Sequence, residues 1–471
     1  MTKTILITVA AIALNACTVG PNFNKPKLHT NDWIDRQANH AINTTWWTVF
    51  NDPMLDDLVI RVASDNLDIA IAQQRILESR ALRGVSRAAL LPSLGTSSSY
   101  VRSKKNNAIQ DAYEVGFDAA WEIDFVGGNR RAIEASTARL ESTKAFKHHI
   151  ILSVIAETAR NYIELRGHQK RIALLVRNVA LQQQTINLLR ASFDNGLSRE
   201  VDVTRAESQL ANTQSLIPNI AAEVRAGTYR LAMLTGKQPD ALYKVLEKSK
   251  PLPAPEEVVP LGLKSDLLKR RPDIQVAEKK LAAATADIGV AVAKLYPSFS
   301  LTGSLGFSAA DFSNLFKNAS ETFLFTPSIH FPIFSAGKIR AQINVAEIRH
   351  SIAAIEYEKT LLTALKETES ILVRYAKEQE TRAQLKRAVK SSTRSVELSN
   401  VLYKNGLTNF VGVLDAEQQL TTTEDALVQS ETRVLTNLIA LYKALGGGWE
   451  VFEPATPTNA AAQTLSKNTV N

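Results

Sequence analysis

The chain has 471 residues, 45% of them hydrophobic and 22% charged, the composition of an ordered protein. Its one cysteine excludes an internal disulfide and any cysteine-built zinc or iron–sulfur site, and its seven histidines form no HExxH pair. No GxxxxGK[ST] loop or GxSxG elbow is present, so the sequence offers no catalytic residue, no metal site and no cofactor, and no enzyme is expected. Lys and Arg number 55 against 47 Asp and Glu, a net charge of +8, but the two signs interleave along helix-like stretches. That is a solvated helical surface, and no nucleic-acid partner is expected.

At the start, Lys3 precedes an apolar run from Ile5 to Leu14, followed by Asn15, Ala16 and Cys17. The run is short of the roughly 20 residues that span a bilayer, so residues 1–16 read as an export signal. Cys17, at the cleavage boundary, is either incidental or acylated. The second reading resembles the bacterial lipoprotein signal, in which the acylated cysteine becomes the first mature residue and its chains anchor it, each CH₂ contributing about 0.8 kcal/mol. Thr18 follows in place of the aspartate that in such signals favours the inner membrane, so the resemblance implies an outer-membrane lipid anchor.

The rest is a tandem repeat. Residues 195–213 align with 405–423 at an offset of 210 with ten identities in 19 positions, including Asn195-Gly196-Leu197 against Asn405-Gly406-Leu407. Leu90-x-Pro92-Ser93 against Leu295-x-Pro297-Ser298, and Phe125-x-x-Gly128 against Phe334-x-x-Gly337, recur in the same order. The chain divides into an N-terminal segment with the first repeat (17–250), a proline-rich connector (251–263), a second repeat (264–450) and a polar tail (451–471).

Each repeat reads as helix, two strands, a very long helix, a turn and a long helix. Apolar residues at 3.5-residue spacing from Ile151 to Phe193, and seven apart at Leu210, Ile217, Val224 and Leu231, predict coiled-coil helices over 128–194 and 199–235. Leu420, Leu427, Val434 and Leu441 repeat the pattern, predicting helices over 337–404 and 409–445. A helix over 129–194 would reach roughly 100 Å at 1.5 Å per residue. Pro218 predicts a local kink. The Asn-Gly pairs supply the left-handed stops that reverse the chain.

The strands alternate with period two. Phe299, Leu301, Gly303, Leu305 and Phe307 oppose a Ser/Thr/Gly face over 298–308, and Phe323, Phe325, Pro327 and Ile329 do so over 322–332. Tyr113, Val115, Phe117, Ala119 and Trp121 alternate over 112–122, and a weaker strand covers 93–102. One apolar and one polar face is the pattern of an outer-membrane barrel strand, and equally of a soluble sandwich or a sheet packed on helices. Four strands cannot close in lipid, so a barrel would need several protomers.

Taken together, Cys17-Thr-Val-Gly-Pro-Asn, Trp46-Trp47 with Phe50, Trp121-Glu-Ile-Asp-Phe-Val-Gly127, Arg270-Arg-Pro-Asp-Ile-Gln275, Leu295-Tyr-Pro-Ser-Phe-Ser-Leu301, Leu414-Asp-Ala-Glu417 and Leu445-Gly-Gly-Gly-Trp449 resemble the TolC-like outer membrane factor family. The nearest branch is its lipoproteins serving resistance-nodulation-division efflux pumps. The resemblance implies an α+β membrane protein, a homotrimer whose 12-stranded β-barrel, four strands per protomer, continues into a 12-helix periplasmic α-barrel. It implies a passive gated conduit carrying cargo from a periplasmic adaptor and an inner-membrane pump to the exterior, with the connector in an equatorial belt. A conduit for type I protein secretion shares this body, and a structural coiled-coil lipoprotein without a channel is the reading from another class.

The resemblance also assigns residues. Asp415 corresponds to an acid facing the axis at the closed tip, where three carboxylates would attract cations. The acid some members carry one turn earlier is Gly412 here, which leaves Leu414 or Val411 as an apolar plug; an exposed helix acid is the plain alternative for Asp415. Asp202 and Tyr403 correspond to a closed-state latch, although Tyr403 also fits a coiled-coil seam. Gly196, Leu197, Gly406 and Leu407 correspond to the adaptor contact, although the glycines also serve as simple helix stops.

Overall fold

The computed structural model describes residues 18–26, 44–255 and 270–453; the expected signal, Cys17, part of the connector and the polar tail from residue 454 lie outside them. In chain order the elements are α1 (Pro53–Asp65), α2 (Leu67–Ala88), β1 (Ser93–Lys105), β2 (Ala108–Ile123), α3 (Gly128–Asp194) and α4 (Glu200–Leu234). A four-residue α5 (Tyr243–Leu246) follows, then α6 (Pro272–Ala293), β3 (Ser298–Ala309), β4 (Glu321–His330), α7 (Lys338–Lys404) and α8 (Phe410–Ala444). Both α3 and α7 have 67 residues, and both α4 and α8 have 35.

The compact units do not follow the two repeat halves. One takes residues 72–146 and 273–361 with the N-terminal segment; the other takes 30–71, 147–272 and 362–471. Each therefore draws on both halves, with β2 paired to β3 in the first unit and α3 packed on α8 in the second.

In the first unit the four strands form one antiparallel sheet in the order β1-β2-β3-β4. The β2–β3 pairing, from Tyr113↔Ala309 to Ile123↔Phe299, joins the halves. β1 and β2 are longer than the alternation predicts, since β1 runs to Lys105 and β2 begins at Ala108. Asn106 and Asn107 explain the extension: both adopt positive φ (52° and 62°), giving a two-residue hairpin turn whose twist suits the strands. β4 ends at His330, two residues early, because Pro332 has no N–H for the ladder. Phe117, Leu305 and Phe323 lie side by side across three strands and are 59%, 55% and 81% exposed. Among the described residues, β1 and β4 are both open edges.

The segment after Cys17 is strapped to this unit. Arg131 of α3 donates to Val19 O (3.0 Å), Gly20 O (3.2 Å) and Asn22 Oδ1 (2.8 Å).

The core of the second unit explains three of the sequence motifs at once. Trp46, fully buried, stacks on Tyr442 of α8 with centroids 5.4 Å apart and donates from Nε1 to Gly447 O at 3.1 Å. Gly448, at φ +117°, passes so close that a Cβ there would lie 2.7 Å from Trp46 Nε1. Arg271 donates to Ala444 O at 3.1 Å and to Glu367 at 3.0 Å, tying the start of α6 to the end of α8 and to α7. Asp52 caps α1 through Met54 N (2.9 Å) and accepts from the Tyr162 hydroxyl at 2.5 Å. α4 continues through Pro218, which removes one intrahelical hydrogen bond without ending the helix.

Candidate functional site: the hairpin tips and their seam

The two helical hairpins of the second unit, α3–α4 and α7–α8, end in near-identical turns. Gly196 and Gly406 sit at φ +73° and +70°, and a Cβ at either would meet nothing within 4 Å, so glycine is required by conformation alone. Leu197 N donates to Ser192 O (2.8 Å) and Leu407 N to Leu402 O (2.9 Å), the six-to-one bond of a Schellman stop. Asn195 and Asn405 donate their side-chain amides back to Ala191 O (2.7 Å) and Val401 O (2.8 Å). The stop forces the next residue outward: Leu197 is 82% exposed and Leu407 73%.

Behind the turns Ile186, Leu189, Val203, Ala206, Phe410 and Val413 form one buried cluster that joins the hairpins, with Leu210, Tyr403 and Leu414 against it. Leu414 thus packs on this cluster, Val411 is half-buried, and the fully buried valine is Val413. Asp415 is exposed. Asp202 is buried, and both its oxygens accept from Arg199 (3.1 and 3.2 Å). Tyr403 lies edge-on to Phe410 at 5.3 Å; among the described residues no hydrogen bond joins it to Asp202.

Sequence reasoning missed the seam between α3 and α8. Lys170 pairs with Glu431 (2.7 Å), Arg171 with Asp425 (2.6 and 3.0 Å) and Arg177 with Glu424 (2.7 and 2.8 Å), and Asn178 donates to Thr421 at 3.1 Å. The signal was present: residues 170–177 of α3 carry three bases and no acid, and residues 424–431 of α8 carry three acids and no base. Within hairpins, Arg190 pairs with Glu207, and Glu378 accepts from Ser430 (2.5 Å) and Arg433 (3.1 Å). Among the described residues no cluster of acids and histidines could hold a metal, and no helix is long and apolar enough to cross a membrane.

An antiparallel sheet with an apolar exposed face and long paired helices with polar seams define the class. The chain belongs to the outer membrane efflux protein family, whose model covers residues 58–237 and 263–447. It is 30% identical over 450 residues to nodulation protein T of Rhizobium leguminosarum bv. trifolii, covering 93% of this chain and 96% of that protein. It is also 30% identical over 470 residues to a toluene efflux pump outer membrane protein, TtgC, of Pseudomonas putida, covering 95% and 96%. The solved outer-membrane channel OprN superposes with a TM-score of 0.87 at 34% identity, over 92% of this chain and all of that one. The protein is an outer-membrane efflux channel of the TolC-like kind.

Proposed function

We propose that three copies of the chain form the outer-membrane section of a tripartite efflux system. Each copy gives four strands to a 12-stranded barrel and four long helices to a periplasmic tube. The observation that carries this reading is the sheet itself: two open edges and a row of exposed Phe117, Leu305 and Phe323 suit a partner strand on each side and lipid on one face. Cys17, acylated, anchors the chain two residues before Val19, where the segment that Arg131 straps to the sheet-bearing unit begins.

The conduit is passive, with energy supplied by the inner-membrane pump. Leu197 and Leu407 give the periplasmic adaptor apolar docking points, and three Asp415 carboxylates ring the tip. Adaptor binding favours the open tip over the closed one and shifts an existing equilibrium, with Asp202 and Tyr403 contributing to the closed side. The test is single-channel conductance of the purified protein in planar bilayers. A cation-blocked basal current that D415A relieves supports the gate, and a D415A current identical to wild type at every cation concentration removes Asp415 from it.

A further inference from the structure

One polar layer of the α3–α8 seam is unsatisfied. Four residues beyond Asn178 on α3, and four before Thr421 on α8, the antiparallel register sets Gln182 against Glu417; one turn further, Ile186 and Val413 enter the apolar cluster. Gln182 is 5% exposed, and neither of its amide atoms has a hydrogen-bond partner. Glu417 Oε2 is buried and unpartnered as well.

The first repeat shows what is missing. Glu207, equivalent to Glu417 at the offset of 210, pairs with Arg190, whose own equivalent is Asn400. The second repeat keeps the acid and has lost the guanidinium. Among the described residues, the charges on the neighbouring helices are already paired or exposed. α3 has no charged residue between Arg177 and Arg190, both of which are paired. On α7 the charges around Asn400 are Arg394 and Glu397, paired with each other, and exposed Lys404. On α4, Asp202 is held by its neighbour Arg199, Glu207 by Arg190, and Arg205 points to solvent. On α8, Asp415 is exposed and Glu424 is paired.

We infer that Gln182 and Glu417 form a proton-operated release point in the seam between the hairpins. Neutral Glu417 can turn its O–H toward the Gln182 amide oxygen, which has no other partner, and leaves no charge buried in the layer. Ionised Glu417 leaves a buried charge without a cation, which draws water in and parts the helices at the tip. Burial pushes the Glu417 pKa above the ordinary carboxylate range. The packed seam therefore holds the proton more tightly than the parted one, so packing is strongest at low pH and weakens as pH rises through the packed-state value. The inference rests on the conduit reading for its functional consequence.

Full-length protein carrying D415N, so that the tip acid does not titrate, is compared with the same protein carrying E417Q as well. The parent's basal current in planar bilayers should rise as pH increases above the ordinary Glu value of about 4.3, by roughly tenfold for each unit that the seam raises the acid, while E417Q should remain low and flat. In infrared titration, the protonated-carboxyl band that E417Q removes should persist above the ordinary Glu value of about 4.3. Equal pH dependence in the two proteins, or a band that titrates at the ordinary value, overturns the inference. If neither protein conducts at any pH, the conduit reading fails by itself, and the infrared titration still decides the protonation of Glu417.

Discussion

Arg171 of α3 grips Asp425 of α8 through two parallel hydrogen bonds, 2.6 and 3.0 Å long, both side chains being about one-fifth exposed. A bidentate guanidinium–carboxylate pair fixes geometry as well as charge, so it sets how readily one hairpin slides on the other. R171D and D425R should each raise the basal current of the reconstituted channel. The charge-swapped pair R171D/D425R should bring it part of the way back, with a coupling of about 1 kcal/mol in a double-mutant cycle. Measuring the four currents decides this, and additivity would show that the pair does not couple the hairpins.

Gly448 and Gly196 separate two reasons for glycine. Both have positive φ, but only at Gly448 would a Cβ collide, with Trp46 Nε1. G448A should destabilise by about 2 kcal/mol or more, from left-handed strain plus the lost Trp46–Gly447 bond, and G196A by about 1 kcal/mol from strain alone. The midpoints of guanidinium unfolding in detergent measure both, and equal shifts would contradict the packing account.

His148 makes the second unit acid-sensitive. Its ring stacks on Trp449 at 4.1 Å, and its Nε2 contacts Glu453. Burial lowers its pKa, and the Glu453 carboxylate opposes this without overcoming it. Since the folded value lies below the unfolded one of about 6.5, stability is complete above that pH and falls as pH drops through it. Tryptophan fluorescence should change over that window in wild type and not in H148Q.

Leu197 and Leu407 project from the turns without supporting them, as their backbone bonds alone close the Schellman stops. L197D/L407D should leave unfolding midpoints unchanged within about 0.5 kcal/mol while abolishing crosslinking to a periplasmic adaptor that the wild-type protein captures. Undiminished crosslinking would place the adaptor contact elsewhere.

Much of this is legible in the chain. The 3.5-residue spacing marks α3, the repeat carries the same expectation to α7, and period-two alternation marks β2, β3 and β4. What is not legible depends on partners distant in sequence. Trp46 and Gly448 read as separate motifs until the fold shows that each explains the other. The Asn106-Asn107 turn is faint in the sequence because the strand signal weakens toward it. At the tip, Asp202 can be matched to a family position, but only the structure shows Arg199 occupying both its oxygens. Glu417 stands in a recognised motif, and its isolation emerges only when the register of α3 on α8 is known.

The account depends on the sheet being completed by other copies of the same chain. Native mass spectrometry of the full-length protein released from detergent tests this most directly. A complex of three chains is the predicted result; a single chain that stays folded and soluble after the detergent is removed would contradict it.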